Sequence, residues 1–481
     1  MTVSEPGAAP LPEQATGLRS LLQVEDRGIE PLPLSEQTSR PAELFWIWLA
    51  GNISILGLPL GAWVVAGVLN FWQALLAGTV GAVGSFAIVG LISIAGQRGG
   101  APSLTLSRAT FGSLGNFGPT IVAILSRWGW ETVNAVTAVF AILSIGTVLT
   151  GTALTPRNAV WLTVSAVLVF LALTLIVSGI GHHLLALFQQ WATYIFGALT
   201  IIVLGFIITR VDWSAVANAE AGPASAVLIG IGTVAAGTGL AWANSGADLG
   251  RYQSPAASPG KLVFASAAGA GIPLVIMVGA GSLIAISNPQ FDTDNPLSSI
   301  PELLPPWMSV PFLIAAFAGL LLSNNISVYS SGLTLLTLGI KTRRIVAVAI
   351  ELVVSLIGSM VFLYLFDNFY DAFIGFITLL AIPLTAWVGV FLVDMLKRTT
   401  YDSDSLLDLS PRSRYWYTGG IEWRAMCAWL IGIAAGFIFR FPGLADSWIT
   451  VNGLPWLVTL LVSSALYFLA GGARCAAGKD D

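Results

Sequence analysis

Twelve apolar runs, each long enough to cross a bilayer, constrain this chain more than any other feature. A spanning helix needs about twenty mostly apolar residues. Runs of that kind fall at 43–68, 71–95, 117–147, 158–179, 183–209, 224–246, 262–287, 309–338, 345–366, 369–394, 422–441 and 452–470, here numbered spans 1 to 12. Hydrophobic residues make up 56% of the chain and charged ones only 10%, against roughly a quarter charged in a soluble domain. So much apolar surface needs lipid as its solvent, and the chain reads as an all-α polytopic membrane protein. The first forty residues are polar and Pro-rich, so no cleavable signal peptide is expected and span 1 should stay in the membrane. A formal charge of −4 provides no basic surface for nucleic acid. Cys427 and Cys475 lack metal or redox spacing.

The distribution of Lys and Arg tests the count independently, because short cytoplasmic loops are enriched in both. With the N-terminus inside, seventeen basic residues fall on the inner side and only Arg157, Arg210 and Arg440 outside, while Arg127 lies within span 3. Both termini are therefore expected in the cytoplasm of a cell-membrane protein. The loop 96–115 is patterned enough to predict a short interfacial helix ending near Ser107-Arg108. The polar stretch 395–421 separates ten spans from a final pair.

Many secondary transporters are two inverted five-helix repeats whose first helices are unwound at mid-membrane, and unwound backbone survives there only beside a polar cavity. Span 1 carries Gly51-Asn52-Ile53-Ser54 followed by Gly57 and Pro59, and span 6 carries Gly237-Thr238-Gly239 and Asn244-Ser245-Gly246. Glycines with polar residues at both equivalent positions predict two broken helices. Small residues also serve plain helix packing, but the matched placement favours the breaks. The implied organisation is a tail at 1–42, repeats at 43–209 and 210–394, a linker at 395–421, helices 11 and 12 at 422–470 and a tail at 471–481.

Polar groups inside the spans point to a site. In span 3, Arg127 and Glu131 stand four residues apart, a spacing at which they can pair. Trp130 and Asn134 share the same spacing, so an aromatic face and an amide can stack on and hydrogen-bond a planar ring. Span 8 holds seven polar side chains between Ser323 and Ser331, which are expected to face the interior as oxygen ligands or amide contacts. Asp248 and Arg251, closing span 6, read as a local salt bridge or gate latch. His182-His183 reads as a solvated turn, and Glu351 as a partner of a neighbouring helix.

Several of these segments resemble the purine–cytosine permease branch of the nucleobase–cation symporter family. They are Gly28-Ile29-Glu30-Pro31-Leu32-Pro33, Trp46 through Ser54, Leu106 through Gly112, Gly129-Trp130 with Asn134, Trp242 through Asp248 with Arg251-Tyr252, and Trp416-Tyr417 to Arg424. The resemblance implies a LeuT-type fold of 5+5 inverted repeats plus two C-terminal helices, and carriage of cytosine, purines, hydantoins, allantoin, thiamine or pyridoxine-like rings with sodium or protons. It places the stacking Trp and its amide on Trp130 and Asn134. A second stacking aromatic of some members falls on Gly239, with Trp242 as a substitute. Substrate contacts are expected from Trp130, Asn134, Glu131, Thr238, Gly239, Trp242, Asn325 and Asn52. A cation site is expected from Gly51, Ser54, Ser323, Asn324 and Ser327, with no other metal and no cofactor. Glu131 keeps proton coupling open. The expected activity is import of a nucleobase or related planar heterocycle by alternating access; the rival, a membrane enzyme or channel, lacks any nucleophile–base or metal constellation in the spans.

Overall fold

The computed structural model describes residues 25, 27–53, 57–66, 68–288, 300–301, 304–366 and 369–472, with side chains of 369–378 excepted. Among the described residues, ten helices are long and apolar enough to cross a membrane: Phe71–Gly99, Phe117–Thr150, Val160–Ile180, His182–Thr209, Ala224–Gly250, Pro259–Ser287, Pro306–Thr337, Arg344–Leu365, Leu379–Lys397 within Phe369–Lys397, and Trp423–Arg440. Span 1 is a bent pair, Pro41–Asn52 and Gly57–Ala66, whose axes differ by 64°. The apolar helix Pro455–Leu469 is the element at span 12.

Local chemistry sets several ends. Asn70 accepts from the Gln73 amide and the Gln73 side chain reaches back to Asn70, a reciprocal cap that starts span 2. The same helix stops at Gly100, whose left-handed φ of 62° suits glycine. Span 6 is interrupted as the sequence predicts. Ala236–Leu240 forms a wide turn in which Thr238 leaves helical geometry (φ −126°, ψ −107°), followed by the short turn Ala243–Ser245 and the helix Gly246–Gly250.

Glycines let each broken span lie directly on an unbroken one. A Cβ at Gly61 would strike the Val278 carbonyl, and one at Gly281 the Leu58 carbonyl, so the second half of span 1 and span 7 meet backbone to backbone. Gly239, Gly246 and Gly250 of span 6 lie in the same way on Ser85, Val89 and Ser93 of span 2. Span 8 packs against span 3, and spans 10, 11 and 12 pack on one another at the periphery.

Two expectations are corrected. The segment after span 2 forms Ser103–Leu106 and Arg108–Phe111, and all of it is buried rather than interfacial. Arg108 donates to the carbonyls of Leu406 and Thr337 (2.7 and 2.5 Å), so this segment plugs into span 8 and the 395–421 stretch. His182 is likewise buried, stacked on Tyr252 at 3.8 Å with only 5° between the rings, while His183 is exposed. An aromatic neighbour at van der Waals distance wins over the solvated turn that its sequence position implied.

The seam between spans 1 and 7 makes a direct prediction. Gly281→Val should cost roughly 1–3 kcal/mol through overpacking, lowering the melting temperature and yield of the purified protein. Gly205→Ala, where an added methyl meets open space, should leave both unchanged.

Candidate functional site

A cavity of about 720 Å³ opens between the two broken helices. Gly51, Asn52, Pro59 and Trp63 of span 1, Gly237, Thr238 and Trp242 of span 6, and Arg127, Trp130 and Asn134 of span 3 line it, with Ser323 from span 8. Spans 11 and 12 contribute Phe439, Arg440 and Trp456 at its mouth.

The exposed helix ends are satisfied by side chains. The Asn52 amide donates to the Trp48 carbonyl at 2.8 Å, one turn back at the end of the first half of span 1. In span 6, Thr238 Oγ1 donates to Val234 O at 2.6 Å and Ser85 Oγ of span 2 accepts the Gly239 N–H at 3.1 Å. Arg127 Nη2 donates to Ala241 O at 3.3 Å, to Asn244 Oδ1 and to Ser245 Oγ at 2.5 Å, with its guanidinium 4.5 Å over the Trp242 ring. Each break thus draws its partners from its own turn or from spans 2 and 3.

Span 3 presents two faces. Arg127, Trp130 and Asn134, at i, i+3 and i+7, look into the cavity. Glu131 looks the other way, accepting from Ser327 Oγ (3.2 Å) and Ser355 Oγ (3.1 Å) on spans 8 and 9. The expected Arg127–Glu131 pair does not form; the i,i+4 spacing allows it, but helix 6 offers Arg127 three oxygens at the break. Glu351 accepts from the Trp128 indole N–H, and Ser331 Oγ donates to the Val328 carbonyl at 3.3 Å.

Span 8 spends its polar side chains around its whole circumference. Ser323 lines the cavity, Asn324 donates to Thr174 at 3.1 Å, Asn325 receives Ser178 on its backbone carbonyl at 2.8 Å and on its side-chain Oδ1 at 3.4 Å, and Ser330 donates to Asp248 at 2.5 Å. Of the residues expected to bind substrate, Trp130, Asn134, Thr238, Trp242 and Asn52 line the cavity, whereas Glu131 and Asn325 face neighbouring helices. Gly239 packs on Ser85, which leaves no room there for a second stacking aromatic. Of the expected cation ligands, Gly51 and Ser323 line the cavity, Asn324 and Ser327 are directed to spans 4 and 3, and Ser54 lies outside the described residues.

The opposite end of the bundle is sealed by a cluster that the sequence did not reveal. Asp248 is held by the Ser103 N–H (2.7 Å) and by Ser330 rather than by Arg251. Arg251 instead meets Glu25 at 3.2 Å and donates to Gly28 O (2.7 Å), Tyr252 Oη (2.7 Å) and Tyr329 Oη (3.2 Å). The Glu25 carboxylate also accepts from Tyr252 and from the His182 N–H (3.0 Å) and lies 3.9 Å from Arg344, which donates to Ser178 O and Gly179 O. Burial pushes the Glu25 carboxyl upward, but Arg251, Arg344, the Tyr252 hydroxyl and the His182 amide outweigh it and hold the group below the ordinary 4.5. Glu25 lies far from its partners in sequence, so no local spacing signals the contact.

Against this geometry stand the comparisons with known proteins. Residues 31–458 match the family model described as permease for cytosine/purines, uracil, thiamine, allantoin. The chain belongs to this permease family. The permease is 27% identical over 467 residues to YxlA of Bacillus subtilis, named as a purine-cytosine permease, covering 93% of this chain and 96% of that one. It is 24% identical over 347 residues to the purine-cytosine permease fcyB of Emericella nidulans, covering 68% and 64%. Among solved structures it resembles Mhp1, a nucleobase-cation-symport-1 family transporter, in a closed conformation with bromovinylhydantoin bound, with a TM-score of 0.73 at 17% identity over 93% of this chain and 96% of that one. A Na+-coupled sialic acid symporter gives a TM-score of 0.61 at 12% identity over 90% and 91%. These likenesses give the permease the LeuT-type fold.

The Glu25 cluster yields a test. A carboxyl held below its ordinary value contributes fully above about pH 4.5 and loses that contribution only as pH falls through the lowered value. The seal should therefore hold unchanged from neutral pH down to that range. Glu25→Gln should release it at neutral pH, read as faster maleimide labelling of a cysteine at buried Thr334 in a background without Cys427 and Cys475. Equal labelling rates would show that Glu25 does not close this end.

Proposed function

We propose that the permease imports a nucleobase or a related planar nitrogen heterocycle together with a cation, by alternating access. The observation that carries this reading is the cavity between two interrupted helices, with Trp130 and Asn134 one turn apart on the same cavity-facing wall. The indole supplies a stacking face and the amide reads the ring edge. Thr238 and the loosened turn around it add backbone and hydroxyl contacts.

With the termini in the cytoplasm, as the Lys and Arg distribution implies, the mouth bearing Arg440 faces outward and the Glu25 seal faces inward. The cavity then corresponds to an outward-facing state of a cell-membrane permease. Substrate entry followed by opening of the Glu25 cluster completes the cycle, with repeats 43–209 and 210–394 exchanging roles. The coupling cation is sodium or a proton. Gly51 and Ser323, which both line the cavity, support sodium, while the buried acids Glu131 and Glu351 off the cavity support a proton. Relatives named for cytosine and purines favour those bases; allantoin, hydantoin, thiamine and pyridoxine-like rings are the alternative cargo. The role is that of a permease rather than an enzyme.

Proteoliposomes should accumulate at least one of radiolabelled cytosine, uracil, adenine, hypoxanthine, allantoin or pyridoxine when a sodium or proton gradient is imposed, and the gradient that drives uptake identifies the ion. Absence of gradient-dependent accumulation for every ring defeats the reading. Trp130→Ala should weaken binding of the accepted ring about tenfold or more, because base–aromatic stacking carries roughly 1–3 kcal/mol, with the melting temperature little changed. Unaltered affinity would remove Trp130 from the site.

A further inference from the structure

The floor of the cavity carries a fixed charge. Among the described residues lining it, the charged ones are Arg127 at the floor and Arg440 at the mouth; both are cationic and no carboxylate joins them. Arginine stays protonated in any physiological setting, so a solute entering from the mouth meets two fixed cations along the cavity wall.

Arg127 is only 1% exposed and, among the described residues, has no carboxylate within ion-pairing distance. Its Nη2 is held by three uncharged oxygens of span 6, and its Nε is buried without a partner. Glu131 on its own helix is turned to spans 8 and 9. Asp248 and Glu131 attract Arg127 through space without touching it, and the Asp248 oxygens already accept from Ser330 and the Ser103 amide. A desolvated guanidinium without a contact counter-ion is expensive to maintain, and the brace it gives span 6 needs only a neutral donor. The Trp242 ring fixes its plane, and Asn134 Oδ1, two turns along the same face, is a second buried group without a partner. Arg127 and Asn134 thus line the cavity on either side of Trp130 in the helix, each with a buried polar atom that has no partner among the described residues.

We propose that the preferred substrate is a planar nitrogen heterocycle bearing a negative charge, bound through Arg127 while Asn134 accepts a ring N–H. This rests on the heterocycle-permease reading and makes Arg127 the residue that selects by charge. The charge can come from a deprotonated ring nitrogen or from a carboxylate on the ring, since a guanidinium fork accepts either. A membrane potential negative inside opposes entry of such an anion, so at least one coupling cation must accompany it.

Purified full-length permease in nanodiscs at neutral pH tests this with two matched pairs, urate against hypoxanthine and orotate against uracil. In the wild type, urate, orotate or both should bind about tenfold or more tightly than the neutral member, as a charge-assisted hydrogen bond replaces a neutral one. The pair showing the preference identifies the source of the charge. Arg127→Gln should abolish that preference, the anion losing more affinity than the neutral ring, and Arg127→Lys should retain part of it. Neutral rings binding as well as or better than both anions in the wild type overturns the proposal while leaving the heterocycle-permease reading intact, and needs no variant to fold. A preference that survives Arg127→Gln overturns the role of Arg127. Failure of all four to bind counts against this proposal, and the broader uptake panel then judges the permease reading separately.

Discussion

A helix interrupted in hydrocarbon leaves backbone groups with no water to receive them, and the rest of this structure is arranged around two such interruptions. Asn52 closes the first by folding back on Trp48. The second, at Thr238, takes an acceptor from Ser85 and a donor from Arg127. The cavity is the space these repairs leave open. Its polar lining follows from the breaks: the residues that satisfy loose backbone are the same ones positioned to meet a polar solute.

Span 8 solves a related problem. It is buried along most of its length and surrounded by helices, so its polar side chains can be spent in every direction. Ser323 serves the cavity, Ser327 serves the acid of span 3, Asn324 and Asn325 fasten span 4, and Tyr329 and Ser330 reach the sealed end. No amphipathic stripe results.

This explains what was legible in the sequence. The apolar runs and the glycine breaks were readable because length and backbone chemistry act locally. Trp130 and Asn134 were readable because one helix turn is a fixed spacing. The partner of Arg127 was not: its i+4 neighbour Glu131 was the obvious candidate, yet the break in span 6, more than a hundred residues away, presents better acceptors. Arg251 shows the same limit, passing over Asp248 for Glu25 of the N-terminal segment. Side chains pair with what packing brings near, and that information is not held in local spacing. Gly239 marks the reverse case, since its missing side chain is explained only by Ser85 behind it.

The glycine contacts carry a mechanical consequence. Span 1 is splinted to span 7, and span 6 to span 2, each through backbone contact with no cushion of side chains between. These partnerships cross the boundary between the two proposed repeats: each interrupted helix is fastened to a straight helix of the other half. Neither half can therefore tilt its own broken helix independently. In the alternating-access cycle proposed above, these four helices are expected to move together relative to spans 3 and 8, with Trp130 on the facing wall.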